Sequence, residues 1–388
     1  MAEARSAPGA AETPASRLAG FYFFYYATVG AFIPYWASYL EARSFSAVQM
    51  GIAFALMGVS RSIVPVLWGI WADRSEQRIR LVRVSAAVSL LLFLSIPFVD
   101  ERWAIVVLMV GYSLFWHALL PQFEVVALNH LARSGVDYSR VRLWGSVGFV
   151  VAVLALGPVL DRYGMLPLPF LVALMWIGMV VSAWRVAEPP MAYAMDAPRV
   201  SIWGVLRRPE VIALLIACFA SQLSFAPYYN FFTLFLERHG YSRGMAGLLW
   251  ALGVTAEVGL FLVMRPLIQR FGVRPLMLAA LGATVLRWLV IGLAVDSLAL
   301  LLLAQLAHAL TFGAYHAVAV HYIQRFFPGR LQGRGQAIYN ALAYGVGGSV
   351  GSLASGWLWD HVSPESTFIS AALMALLGFW VAWRRLPN

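Results

Sequence analysis

The stretch Gly51 to Arg78, GIAFALMGVSRSIVPVLWGIWADRSEQR, limits what this chain can fold into more than any other. It is an apolar run long enough to cross a bilayer, with one arginine, Arg61, near its middle and a charged turn, Gly69 to Arg78, at its end. An arginine at mid-membrane depth is costly, so it must face a protein interior or a wet cavity and find a partner there. At an offset of 196 residues the pattern returns as Gly247 to Arg274, GLLWALGVTAEVGLFLVMRPLIQRFGVR. Gly51 falls on Gly247, Arg74 on Arg270, Arg78 on Arg274, and Arg61 on Glu257. Opposite charges at one depth of corresponding helices point to a transporter built from two parallel repeats.

The repeat extends further. Leu40 and Glu41 match Leu236 and Glu237, and Ser46 matches Ser242, at the same offset. An offset of 199 aligns Gly148, Gly157 and Asp161 with Gly347, Gly356 and Asp360. Hydrophobic runs of about 20 residues or more, the length a bilayer core requires, predict twelve helices near 17–40, 48–71, 81–99, 103–131, 140–160, 167–186, 209–237, 245–268, 275–295, 297–326, 333–359 and 364–385. The expected fold is therefore an all-α membrane protein of two six-helix repeats around a central cavity. Its parts are a disordered Ala/Pro/Ser-rich tail at 1–16, a bundle at 17–186, a cytoplasmic linker at 187–208 and a second bundle at 209–388.

With 61% hydrophobic and 12% charged residues, a soluble fold is excluded. All 28 basic residues are arginine, and the net charge of +10 reflects cytoplasmic loops rather than nucleic-acid binding. With the N-terminus inside, the external loops hold only Arg43, Arg102, Arg162, Arg238 and Arg243. That bias predicts a multi-pass protein with both termini in the cytoplasm. The single Cys218 permits no intramolecular disulfide, and no spacing resembles a metal site. The expected partners are a small solute, protons and the bilayer, with the chain acting as a monomer and without a cofactor.

The turn GIWADRSEQR resembles the loop 2–3 signature of the major facilitator superfamily. Gly69, Asp73, Arg74 and Arg78 match it, while Glu76 replaces its second glycine, and the repeat copy carries Gln269 in place of the acid. The resemblance implies that this turn latches helices together in the outward-facing state, with Arg142 grouped among the latch residues. A closer resemblance, carried by VRLWGSVGF (141–149), YYNFF and GYS (228–242), LWALGVTAEV (249–258), LRW (286–288) and QLAHALTFGAYHAVAVHYI (305–323), is to the phenylpropionate permease group. That group is related to lactose permease and the proton-coupled oligosaccharide and nucleoside symporters. That resemblance implies proton-coupled uptake across a bacterial inner membrane.

The intramembrane polar residues supply candidate sites. Arg61 and Glu257 either line the central site or form a buried ion pair between the halves. A ligand that competes for the arginine changes the proton affinity of a carboxylate beside it, which is the physics that coupling needs. Arg287 is a second positive partner or the neutraliser of Glu257. His308 and His316, eight residues apart on the tenth helix, address one wall for proton relay or binding, with His321 nearer the cytoplasm. Glu124 and Arg142 lie at similar depth, as a gating pair with Glu124 a further proton carrier, or as a structural pair. Tyr25, Tyr35, Trp36, Tyr228, Tyr229 and Asn230 lie beside Pro34 and Pro227, which let the first and seventh helices kink or break. Together these suit an amphipathic ligand with an aromatic or sugar-like body.

The leading reading is proton-coupled import of a small organic solute by alternating access, an aromatic monocarboxylate first and a sugar or nucleoside second. An efflux antiporter stays open, since the fifth helix ends in Gly157-Pro158. A membrane enzyme lacks a nucleophile–base pair, and a sensor lacks an output domain.

Overall fold

The computed structural model describes residues 14–75, 77–188 and 201–388. The predicted tail and linker therefore fall largely outside the described residues, as does Glu76. What is described is helical, in twelve passes. The first half comprises α1 (Ala15–Phe32, resuming as Trp36–Ala42), α2 (Ala47–Ser75), α3 (Arg78–Ser95, with a 3-10 turn to Phe98), α4 (Arg102–Ser134), α5 (Tyr138–Tyr163) and α6 (Leu168–Trp184). A short turn, Trp203–Leu206, leads into α7 (Pro209–Arg238), α8 (Arg243–Phe271), α9 (Val273–Leu293), α10 (Leu298–Phe326), α11 (Gln332–His361) and α12 (Pro364–Arg385).

Among the described residues, nine helices are long and apolar enough to cross a membrane by themselves. The other three depart for identifiable reasons. α6 has only 17 residues, while α1, tyrosine-rich and broken after Phe32, and α11, rich in glycine and polar residues and carrying a π-helical segment at Asn340–Gly347, fall short in apolarity. A second π segment, Ala309–Ala314, lies inside α10. Nothing in the hydrophobic pattern announces such segments, which recur at functional sites. Of the two prolines expected to break helices, Pro34 does so in α1, whereas Pro227 stays inside a continuous α7.

Within the first half, α1 packs against α5 and α6, and α4 against α2 and α3; within the second, α12 packs against α7 and α9, and α8 against α10. The halves meet along two seams, α5 on α8 and α2 on α11. The 196 and 199 offsets are explained here. Asp161, near the end of α5, accepts hydrogen bonds from the Arg243 and Gly244 backbone N–H groups, both at 2.8 Å, at the start of α8. Asp360, near the end of α11, accepts them from Ala47 at 3.2 Å and Val48 at 2.8 Å, at the start of α2. Each carboxylate satisfies N–H groups that a helix start leaves free, at the positive end of its dipole.

Glycines let the backbones close these seams. A Cβ on Gly157 would lie 2.6 Å from Arg243 O and one on Gly356 2.3 Å from Ala47 O. One on Gly51 would lie 2.6 Å from Ser352 O, and one on Gly247 2.4 Å from Val153 O. Side-chain ties reinforce the same end: Ser38 donates to Glu237, Arg243 pairs with Glu237 at 2.7 Å, and Arg238 pairs with Glu41 at 2.9 Å. This end, opposite the chain termini, is the far face, and it is sealed. Towards the termini face the halves stay joined as far as Ser62, which donates to Ala341 O at 3.2 Å. Beyond it α2 exposes Ile63, Val66, Leu67, Ile70 and Trp71.

Candidate functional site

On the second-half wall, Arg287 of α9 is 2% exposed and surrounded by neutral acceptors. It donates to His308 Nδ1 at 3.0 Å, Thr311 Oγ1 at 3.2 Å and Gln305 Oε1 at 3.2 Å, and its guanidinium lies 4.4 Å over the Tyr228 ring. The Tyr228 hydroxyl donates to the same Gln305 oxygen at 2.9 Å. Arginine can only donate, so His308 Nδ1 accepts and the ring proton sits on Nε2. That nitrogen lies 3.4 Å from Glu257 Oε2. A neutral histidine thus bridges a buried cation and a carboxylate on three different helices. Gly313, in the π segment of α10, permits this approach: a Cβ there would sit 3.1 Å from Glu257 Cγ. Arg287 therefore reaches Glu257 through His308 rather than directly.

On the facing wall Arg61 is exposed, and its guanidinium lies 4.9 Å over the Tyr344 ring of α11. It also lies within electrostatic range of Tyr25 on α1 and His117 on α4. The ion pair considered between Arg61 and Glu257 does not form: Glu257 faces His308, and among the described residues no carboxylate lies within ion-pair distance of Arg61. Beside Arg61, Ser60 Oγ meets Ser113 Oγ and His117 Nδ1, both at 2.8 Å. Across from it, His316 Nδ1 meets the Tyr344 hydroxyl at 3.0 Å. His308, Phe312 and His316 stack as a column, at 5.3 Å and 6° and then 6.1 Å and 11°. A π segment winds more residues into each turn, and this one lies between the two histidines. His321 is exposed towards the termini face.

Tyr25 stacks on Trp116 at 4.7 Å, and half-buried Tyr229 lies 6.2 Å from Trp250 and 6.5 Å from Phe312. Lower in the first half, Arg142 bonds the Tyr26 hydroxyl and lies 4.0 Å over its ring. Glu124 accepts from the Tyr138 hydroxyl at 3.2 Å. Glu124 and Arg142 are thus separated by tyrosines rather than joined as the expected ion pair, because the Tyr26 ring takes up the guanidinium.

Three predicted binding residues lie elsewhere. Tyr35 is fully buried and donates to Val153 O at 2.8 Å, with Arg243 O 3.5 Å away, so it fastens the α5–α8 seam. Trp36 is 0% exposed between Phe32 at 4.7 Å and Tyr39 at 4.8 Å. Asn230 donates to Ser352 Oγ at 2.7 Å and joins α7 to α11. The break at Pro34 swings these aromatics away from the site.

In the loop, Asp73 pairs with Arg78, which also donates to Gln122 Oε1 at 2.6 Å, and Gly69 sits against Gln122. Arg74 is exposed, and Arg142 stands with Tyr26 rather than with the turn. The turn holds α2 to α3 and α4 within one half. Sequence reasoning missed Tyr26, Ser60, His117, Tyr138, Gln305 and Tyr344. A signal existed for one of them: the 199 offset that aligns α5 with α11 also places His117 on His316.

The MFS_1 like family profile matches residues 15–370. The chain is 28% identical over 379 residues to a probable 3-phenylpropionic acid transporter of Escherichia coli (strain K12), covering 95% of this chain and 97% of that one. It is 27% identical over 365 residues to a maltose permease of Geobacillus stearothermophilus, covering 93% and 92%. Among solved structures, the nucleoside transporter NupG superposes with a TM-score of 0.82 at 14% identity, covering 96% of this chain and 98% of that one.

Proposed function

Because the chain belongs to the MFS_1 like family, within the major facilitator superfamily, we propose that it imports a small aromatic monocarboxylate together with protons. It is a secondary transporter and not an enzyme; the bundles 17–186 and 209–388 rock about the central site in this reading, each protein molecule working as a monomer. The observation that carries the anionic substrate is Arg61, an exposed guanidinium at the centre of the fold with aromatic neighbours and no carboxylate partner among the described residues. A substrate carboxylate satisfies that charge, and its ring meets Tyr25, Tyr229 and Phe312. Entry of the anion beside Arg61 and a proton at Glu257 keeps the wet centre of the protein near electrical balance. The relative named for 3-phenylpropionic acid supports this reading. The maltose and xanthosine permeases among the relatives keep a sugar or nucleoside as the second reading.

Arg61→Gln is expected to weaken binding of 3-phenylpropionate about 30-fold, since a hydrogen bond to a charged group contributes roughly 2 kcal/mol. Calorimetry on the purified protein, run beside maltose and xanthosine, checks this. Equal affinity in the variant, or preferential binding of a neutral sugar or nucleoside by the unaltered protein, overturns the carboxylate reading.

The arginine bias further supports both termini and the 187–208 linker in the cytoplasm, and the bacterial relatives support an inner-membrane protein. Cys218 is buried, so a Cys218→Ser background leaves no native thiol. Val136→Cys, in the exposed loop between α4 and α5, is expected to react with an impermeant maleimide only from the cytoplasmic side, and Asp100→Cys only from outside. The opposite pattern reverses the orientation.

A further inference from the structure

On the outer side of the α3–α6 pair, at the termini face and away from both seams, lies a cavity of about 570 Å³. Gln77, Arg80, Arg83, Val84, Val88 and Trp184 line it. Its two arginines are not equivalent. Arg83 is fixed to the end of α6, donating to Ala183 O at 3.2 Å and Val186 O at 2.7 Å, with its guanidinium 5.3 Å from the Trp184 ring. Arg80 is exposed and donates to Gln77 Oε1 at 2.8 Å. Among the described residues of the rim the one acid, Glu188, accepts from the Ile79 N–H at 2.8 Å. That carboxylate is taken up by the start of α3, whose free N–H groups and dipole it satisfies, so the two arginines leave the mouth cationic.

Behind the mouth the lining turns apolar. Val84 is 50% exposed, and Leu91, two turns further along the same face of α3, is 66% exposed. That spacing makes a continuous apolar strip running from the cavity into the span. Trp184, 62% exposed at the rim, sits where tryptophan marks a membrane–water boundary. A polar, cationic mouth over an apolar strip fits a phosphodiester with an attached acyl chain. The feature is also private to the first half: at the 196 offset Arg80 and Arg83 fall on Leu276 and Ala279. These two arginines thus lie outside the repeat that matches Arg74 and Arg78 with Arg270 and Arg274.

We propose that this cavity is a binding site for one anionic phospholipid, its phosphodiester at Arg80 and Arg83 and its chain along Val84, Val88 and Leu91. The site is separate from the transport path and does not depend on which solute is carried.

The test uses the purified full chain in mild detergent, titrated with phosphatidylglycerol, phosphatidylcholine or inorganic phosphate, with lipid retention read by native mass spectrometry and melting temperature alongside. Phosphatidylglycerol is expected to be retained about fivefold more than phosphatidylcholine and to raise the melting temperature, while inorganic phosphate leaves it unchanged. Arg80→Ala should lower phosphatidylglycerol retention about fivefold, the factor equivalent to roughly 1 kcal/mol per basic residue at an anionic lipid surface. Arg80→Lys should keep most of it, and Val84→Glu, which puts a carboxylate on the strip, should abolish it with both arginines in place. Equal retention of the two lipids, unchanged retention in Arg80→Ala, or equal stabilisation by free phosphate overturns the proposal.

Discussion

Glu257→Gln is expected to bind ligand and exchange it between the two sides of the membrane, yet fail to accumulate it against a gradient. Under the proposed proton coupling, the glutamine keeps the shape of the protonated acid but cannot cycle a proton, so transport uncouples and the accumulation ratio falls to about one, the limit of zero coupling energy. The geometry around His308 makes this a clean test. His308 is held neutral in its Nε2–H form by Arg287, so a glutamine oxygen can still accept from that N–H, at a cost of about 1 kcal/mol. Were Glu257 only the counter-ion of a buried cation, its loss would cost about 3–5 kcal/mol, and the melting temperature would fall before transport was measured. The decisive pair of measurements is pH-dependent uptake in vesicles and a melting curve on the same variant. A stable Glu257→Gln protein with intact proton-driven accumulation removes Glu257 from the mechanism.

The same cluster shows where sequence reading runs out. Arg61 and Glu257 stood out because charge in an apolar run is conspicuous and the repeat sets them at one depth. Matching depth does not fix which way each side chain turns. Arg61 turns to Tyr344 of α11, while Glu257 turns to His308 within its own half. That His308 and His316 address one wall was expected from α-helical spacing, but their parallel stacking with Phe312 accompanies a π segment that hydrophobic periodicity does not encode. Tyr26 escaped notice because a tyrosine in an aromatic-rich helix looks like packing, and Tyr138 because it opens its helix in a polar turn, until their hydroxyls are seen to separate Arg142 from Glu124. Tyr35 and Trp36 were misplaced for the converse reason: the break after Phe32 carries them into the far-face seam and core. The glycine and aspartate matches were legible because they are backbone constraints, tied to close approach rather than to rotamers.

Those aspartates carry the second large expectation. The double variant Asp161→Asn with Asp360→Asn should shift the protein from its far-face-closed state towards one open at that face. Each carboxylate holds two N–H groups of a helix start in the opposite half. These contacts cannot survive separation of α5 from α8 or of α2 from α11. Asparagine keeps one acceptor but loses the charge that the helix dipole favours, a loss of about 1.5 kcal/mol per site. Two sites in independent seams add, giving roughly 3 kcal/mol and a population shift of about 100-fold. That is less than the 5.5 kcal/mol or so needed to invert a fully one-sided equilibrium, so the variant should populate both states rather than lock in one. The glycines give the limiting case. Gly157→Leu with Gly356→Leu places side chains where backbone oxygens now lie 2.6 and 2.3 Å from a Cβ, so the seams cannot close at all. Spin-label distances across the far face, between cysteines at Ser44 and Tyr241 in a Cys218→Ser background, should then show two populations for the aspartate pair and a single long one for the glycine pair. A single short distance in both would mean that the seams are packing surfaces without a part in alternating access.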